Sequence, residues 1–133
     1  MTKELWINLP VKNLKQSIEF FTAIGFSFKT DSPGYTDTMA PMIVGSKGIV
    51  VMLFQEDVFK NTCMNAVADT AKGTEVLFSF DAENREEVDA TATKVEAAGG
   101  TIFAQPASVQ GWMYGFAFAD LDGHRWNMLH MSM

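Results

Sequence analysis

The chain states one pattern twice, and that repetition limits its fold more than any single motif does. Residues 4–11 (Glu-Leu-Trp-Ile-Asn-Leu-Pro-Val) alternate as a strand, Asn13 opens an amphipathic stretch to Ile24, and Gly25 precedes a second strand at Phe26. Residues 74–80 (Thr-Glu-Val-Leu-Phe-Ser-Phe) alternate again, Asn84 opens a stretch to Ala98, and Gly99-Gly100 precede Thr101-Ile102-Phe103. Asn accepts hydrogen bonds from the orphan N–H groups of a first helical turn, and Gly adopts the left-handed backbone that ends a helix. Each half therefore reads strand, capped helix, glycine stop, strand. Two like modules follow, with a cavity expected where their sheets meet.

The remaining segments complete the repeat. In the first half, residues 26–30 form a strand and Asp31-Ser32-Pro33-Gly34 a turn, followed by an irregular stretch to Met39. Residues 41–44 and 49–55 are strands joined by a Gly45-Ser46-Lys47-Gly48 hairpin turn, and residues 56–60 make a short helical turn. Residues 61–73 lack any strong period and read as a linker. In the second half the strands are 74–80, 101–105, 113–119 and 125–131, the helix is 84–98, and Asp120-Leu121-Asp122-Gly123 is the last turn. The expected fold class is α+β. Two βαβββ modules, about 1–60 and 74–133, are joined by linker 61–73 within a single domain 1–133, as an open, cupped eight-stranded sheet with helices on the outside.

Composition removes several function classes. Of 133 residues, 47% are hydrophobic, as in an ordinary soluble domain, and no apolar run has the length needed to span a bilayer. Met1-Thr2-Lys3-Glu4 leads into no signal-peptide core, so a cytoplasmic location is the default and no membrane partner is expected. The single cysteine, Cys63, cannot form an internal disulfide and has no local His or Gly-rich setting to activate it. A net charge of −6 with ten scattered Lys and Arg argues against nucleic acid. Acidity mildly favours a cationic ligand, although solubility explains it equally well.

Two stretches carry a family resemblance. Asn8-Leu9-Pro10-Val11-Lys12-Asn13-Leu14, continuing through Phe20-Phe21 and Ile24-Gly25-Phe26, is the first. Tyr114-Gly115-Phe116-Ala117-Phe118-Ala119-Asp120-Leu121-Asp122-Gly123-His124 is the second, with Leu121 where a Pro is usual. Together with the duplication they resemble the vicinal oxygen chelate superfamily, which includes glyoxalase I, bleomycin-resistance proteins and extradiol dioxygenases. The resemblance covers nearly the whole chain. It implies the fold and leaves the reaction open, because that fold hosts lyases, isomerases, transferases, oxygenases and metal-free binders.

In the metal-dependent members it resembles, four strands each offer a His, Gln or Glu from the inner face of the cup. Carried over, those positions fall on Trp6, Met52, Glu75 and Asn127. Indole cannot ligate, a thioether suits a hard cation poorly, and an uncharged amide is weak alone, which leaves one charged donor. No metal site and no cofactor are therefore expected, and a divalent metal fits only if the register is shifted. His124 belongs to the turn, and His130 has opposite parity to Asn127 on the last strand.

Strand parity collects Trp6, Asn8, Val50, Met52 and Phe54 on the inner face of the first half. In the second half it collects Glu75, Leu77, Ser79, Arg125, Asn127 and Leu129. Tyr114, Phe116 and Phe118 make one face of their strand, and Trp112 enters from the loop before it. The candidate ligand-binding residues are Trp6, Asn8, Met52, Phe54, Glu75, Trp112, Tyr114, Arg125 and Asn127; no catalytic residue stands out. An apolar lining with a few polar groups is the usual constitution of a small-molecule site. The same side chains could equally fill the cup as core. The metal-free resistance proteins hold flat cationic antibiotics between aromatic rings at a dimer interface, which Trp6, Trp112 and Glu75 could imitate. The leading expectation is thus a glyoxalase/bleomycin-resistance-like, metal-independent small-molecule binding protein, a homodimer by resemblance. The alternatives are a metal-dependent lyase, transferase or dioxygenase of the same superfamily, and an interaction protein with a filled cup. Whether the chain is an enzyme stays open.

Overall fold

A computed structural model describes residues 1–132; Met133, where the second module ends as read from the sequence, lies outside the described residues. The chain divides into two compact units, Met1–Ala68 and the segment from Asp69 onward. The first runs β1 (Trp6–Val11), α1 (Leu14–Ala23), β2 (Ser27–Phe28), β3 (Met39–Val44), β4 (Ile49–Gln55) and α2 (Glu56–Cys63). The second runs β5 (Leu77–Asp81), α3 (Arg85–Ala97), β6 (Thr101–Val109), β7 (Met113–Ala119) and β8 (Arg125–Met131). The sheet orders are β1-β4-β3-β2 and β5-β8-β7-β6. β1 is parallel to β4 and β5 to β8, and the other pairs are antiparallel. The fold is α+β, built from two βαβββ modules whose eight strands pair as two four-stranded mixed sheets. No helix among the described residues is long and apolar enough to cross a membrane.

The repeated Asn and Gly residues act identically in both modules. Asn13 Oδ1 accepts the Gln16 N–H at 3.1 Å, and Asn84 Oδ1 accepts the Glu87 N–H at 2.8 Å. At the other end Gly25 (φ 115°) and Gly99 (φ 99°) take left-handed backbone. The following residue then closes a Schellman motif: Phe26 N–H donates to Phe21 O and Gly100 N–H to Val95 O, both at 2.9 Å.

The cores differ. In the first module Val11, Met42 and Leu53 are fully buried with Phe20, Phe21 and Ile24 of α1 and its C-terminal cap. In the second, Val88, Ala92 and Val95 of α3 share the core with Trp126 and Phe118. The Phe78 and Phe80 rings lie 4.7 and 6.2 Å from Trp126, and the Phe118 ring is parallel to it at 6.4 Å.

Asp120 ties the β7–β8 turn to that core. Its Oδ1 accepts the N–H groups of Asp122 and His124, both at 3.0 Å, and its Oδ2 accepts the Trp126 Nε1–H at 3.1 Å. Burial pushes the carboxyl above its ordinary value, and this outweighs the opposing His124 charge, the indole and the backbone hydrogen bonds. From the second unit's N-terminal segment, Thr70 Oγ1 donates to Asp122 O at 2.6 Å.

Several boundaries depart from the sequence reading. β2 shortens to two residues, β3 starts at Met39, and β5 starts only at Leu77. α2 runs to Cys63, three residues into the segment expected as linker, where Met64 ends it in a left-handed conformation (φ 55°). β6 extends to Val109 through Pro106, with register shifts between Ile102 and Ala104 and between Ala104 and Ala107. Its edge position explains this, since an edge strand tolerates both bulges and a proline without a ladder donor.

Candidate functional site

Each sheet has one face packed by its first helix (α1 or α3) and one turned away from it, and register assigns the side chains. In the first module Trp6 pairs with Val50, Asn8 with Met52 and Pro10 with Phe54, so Trp6, Asn8, Met52 and Phe54 share the face opposite α1. Trp6 is 57% exposed, whereas Phe54 is buried. The Phe59 ring of α2 meets Phe54 edge-on at 6.4 Å. The loop before β3 crosses the same face, because a Cβ built on Gly34 would lie 3.5 Å from Met52 Cε and 3.9 Å from Pro41 Cγ. Four of the nine candidate residues thus stand together here.

In the second module Leu77 pairs with Arg125 and Ser79 with Asn127, while Ala119, Ala117 and Gly115 of β7 lie opposite Arg125, Asn127 and Leu129. The face away from α3 therefore carries a row of small residues beside Arg125 and Asn127. Gly115 is obligatory in that row, since a Cβ there would meet Met128 O at 2.4 Å and Leu129 Cδ2 at 2.6 Å. Arg125 reaches across Ala119 and places its guanidinium carbon 4.2 Å from the centre of the Phe103 ring on β6. The Asn127 Oδ1 is buried and has no hydrogen-bond partner.

The other three candidates do not join these faces. Glu75 is exposed in a bend before β5, because that strand begins three residues later than its alternation suggests. Trp112 lies in the turn before β7, 40% exposed. Tyr114 points to the opposite side of its sheet. It pairs with His130, its hydroxyl donates to Asp89 Oδ1 of α3 at 2.6 Å, and Arg85 lies 4.9 Å over its ring. The Asp89 hydrogen bond holds the phenol above its ordinary pKa. Phe116 and Phe118 follow Tyr114 to the helix side and are buried with Met128 and Trp126. The aromatic row of β7 is core, and its small row faces away from the helix.

Sequence reasoning missed Phe103, Phe59 and Gly34. Phe103 is displaced by the bulge in β6, for which Pro106 was the available signal. Phe59 lies inside the helical turn expected at residues 56–60, and no local signal says that its ring packs on Phe54.

The donor set does not suit the divalent-metal centre that the resemblance implies. Trp6 offers an indole, Met52 a thioether and Asn127 an uncharged amide, and Glu75 stands outside its strand. Among the described residues no group of three or more His, Cys, Asp or Glu is placed to hold a metal ion.

The profile of the Glyoxalase/Bleomycin resistance protein/Dioxygenase superfamily matches residues 5–128. The chain belongs to this superfamily. A hypothetical protein from S. aureus is 33% identical over 98% of this chain and 95% of its own, with a TM-score of 0.86. Two more distant structures share the fold. An antibiotic binding protein from a Streptomyces species is 16% identical, covering 99% of this chain and 98% of its own, with a TM-score of 0.67. A genomically encoded fosfomycin resistance protein from Listeria monocytogenes is 18% identical, covering 100% and 94%, with a TM-score of 0.70. No curated protein sequence matches the chain.

Proposed function

We propose that this chain is a metal-independent small-molecule binding protein of its superfamily, acting in the cytoplasm as a homodimer. The observation that carries the reading is the chemistry at the family's ligand positions. An indole (Trp6), a thioether (Met52) and a carboxamide (Asn127) offer packing surface and hydrogen bonding in place of charged donors. Trp6, Met52 and Phe54 supply the apolar contact surface of the first module and Asn8 a carboxamide beside it, with Arg125 and Asn127 as the polar contacts of the second. That relatives in fold include an antibiotic binding protein and a fosfomycin resistance protein supports a small-molecule partner.

A thermal-shift screen of small organic molecules, run with and without chelator, tests the reading. Stabilising compounds should give the same shift in both arms. Shifts that vanish with chelator and return with zinc, nickel, manganese or iron would overturn it.

A further inference from the structure

We propose that the second module's helix-free face is a subsite for an organic anion that also carries a hydrogen-bond donor. This inference rests on the small-molecule reading above and adds the chemistry of the ligand. The first observation is Arg125. Its side chain passes over Ala119 to lie on Phe103, and among the described residues this ring contact is its one partner. A guanidinium held over an aromatic ring by a cation–π contact, without a carboxylate, keeps N–H donors for an acceptor from outside the fold. The natural complement is a carboxylate or a comparable oxyanion.

The second observation is Asn127, two residues along the same strand and on the same face, about 6.5 Å away by strand rise. Its Oδ1 is buried without a donor, an arrangement that folding alone disfavours. A half-turn of the amide about its terminal torsion exchanges Oδ1 with Nδ2, so that the oxygen takes the amino group's place and the amino group takes the buried one. There a ligand N–H or O–H satisfies it. The exposed Ser79 beside it, paired with Asn127 across β5 and β8, adds a hydroxyl to the same row.

The third observation is the floor. Ala117, buried, and Ala119, part-exposed, keep the floor of β7 low between β8 and β6. Leu77, 51% exposed, and Phe103, 43% exposed, flank it with apolar surface. An anion with an adjacent hydroxyl or amide N–H and a modest apolar body matches this set. A flat cation does not, because Arg125 would repel it.

Three matched probes test the proposal: mandelate (anion with hydroxyl), phenylacetate (anion without it) and phenethylammonium (cation). Binding to the full chain is followed by amide and methyl NMR shifts at Ala117, Ala119 and Leu129, in the presence of chelator. Mandelate should bind about fivefold more tightly than phenylacetate, and the cation should leave these signals unmoved. Arg125→Gln should weaken both anions about tenfold or more, whereas Asn127→Leu should erase only the preference for mandelate. Thermal melts of both variants confirm folding, and Arg125→Lys should restore part of the anion affinity. Tighter binding of the cation at these signals would overturn this proposal and leave the small-molecule reading standing. No binding of any probe at millimolar concentration would overturn it too. Binding that appears only when a divalent metal replaces the chelator would overturn the reading beneath it.

Discussion

The two modules share a backbone plan and differ in what they place on it. Both use Asn at the helix start, Gly at the helix end and a parallel pair between first and last strands. Their final hairpins diverge. The β3–β4 turn is made by backbone alone, with Gly45 (φ 78°) and Gly48 (φ 76°) taking left-handed conformations and the Gly48 N–H donating to Gly45 O. The β7–β8 turn is organised by a buried carboxylate that also holds the core tryptophan. The faces turned away from α1 and α3 diverge as well: Trp6, Met52 and Phe54 in one, small residues beside Arg125 and Asn127 in the other. Local backbone signals set the plan, and the alternate residues of a few strands set the chemistry.

The largest expected effect lies at the divergent hairpins. Asp120→Ala leaves three N–H donors without their acceptor, one of them a buried indole, and should lower stability by about 3 kcal/mol or more. Ser46→Ala, in the exposed turn of the first module, should change stability by no more than about 0.5 kcal/mol. Urea melts of the two variants measure the contrast, and equal losses would show that the carboxylate is not the organiser of its turn.

Next come two glycines on corresponding sheet faces. Gly115→Ala forces a Cβ into Met128 O and Leu129, and should cost about 2 kcal/mol. At Gly34 the same methyl group meets ordinary contact distances of 3.4–3.9 Å, and the protein should melt within about 0.5 kcal/mol of wild type. Asn127→Leu should do the opposite of a typical core change. It replaces an unpartnered buried carbonyl by an apolar group of similar size and should raise stability by about 1 kcal/mol. A loss instead would mean that Asn127 is satisfied within the fold.

A smaller effect comes from pH. The folded-state pKa of Asp120 is raised above its ordinary 3.8, so between those two values the folded protein holds more protons than the unfolded chain. This group's contribution is fully present below the unfolded value and falls as pH rises through the folded one. Chemical denaturation at stepped pH should show that decline in wild type, and it should be missing from Asp120→Asn.

The plan was legible because its signals are local. Asn13, Asn84, Gly25, Gly99 and the Asp120–Gly123 turn each act within a few residues of themselves, and β4, β7 and β8 lie where alternation places them. The site was less legible because β7 is apolar on both faces. Its large row, Tyr114-Phe116-Phe118, resembles pocket lining, yet the helix takes the large side and leaves the glycine and alanines opposite. Which face a helix covers is decided by packing volume across three strands, and no single strand states it. Glu75 was misplaced for a related reason, because alternation runs past the point where β5 finds a partner in β8. Phe103 depended on a bulge, a register event between two strands that neither sequence announces by itself.

The most direct measurement is elemental analysis of the full chain purified without chelator, paired with ligand titration of the same sample. Substoichiometric metal is expected, with ligand affinity indifferent to added chelator. One equivalent of zinc, nickel, manganese or iron per chain, with affinity lost when it is stripped, would contradict it.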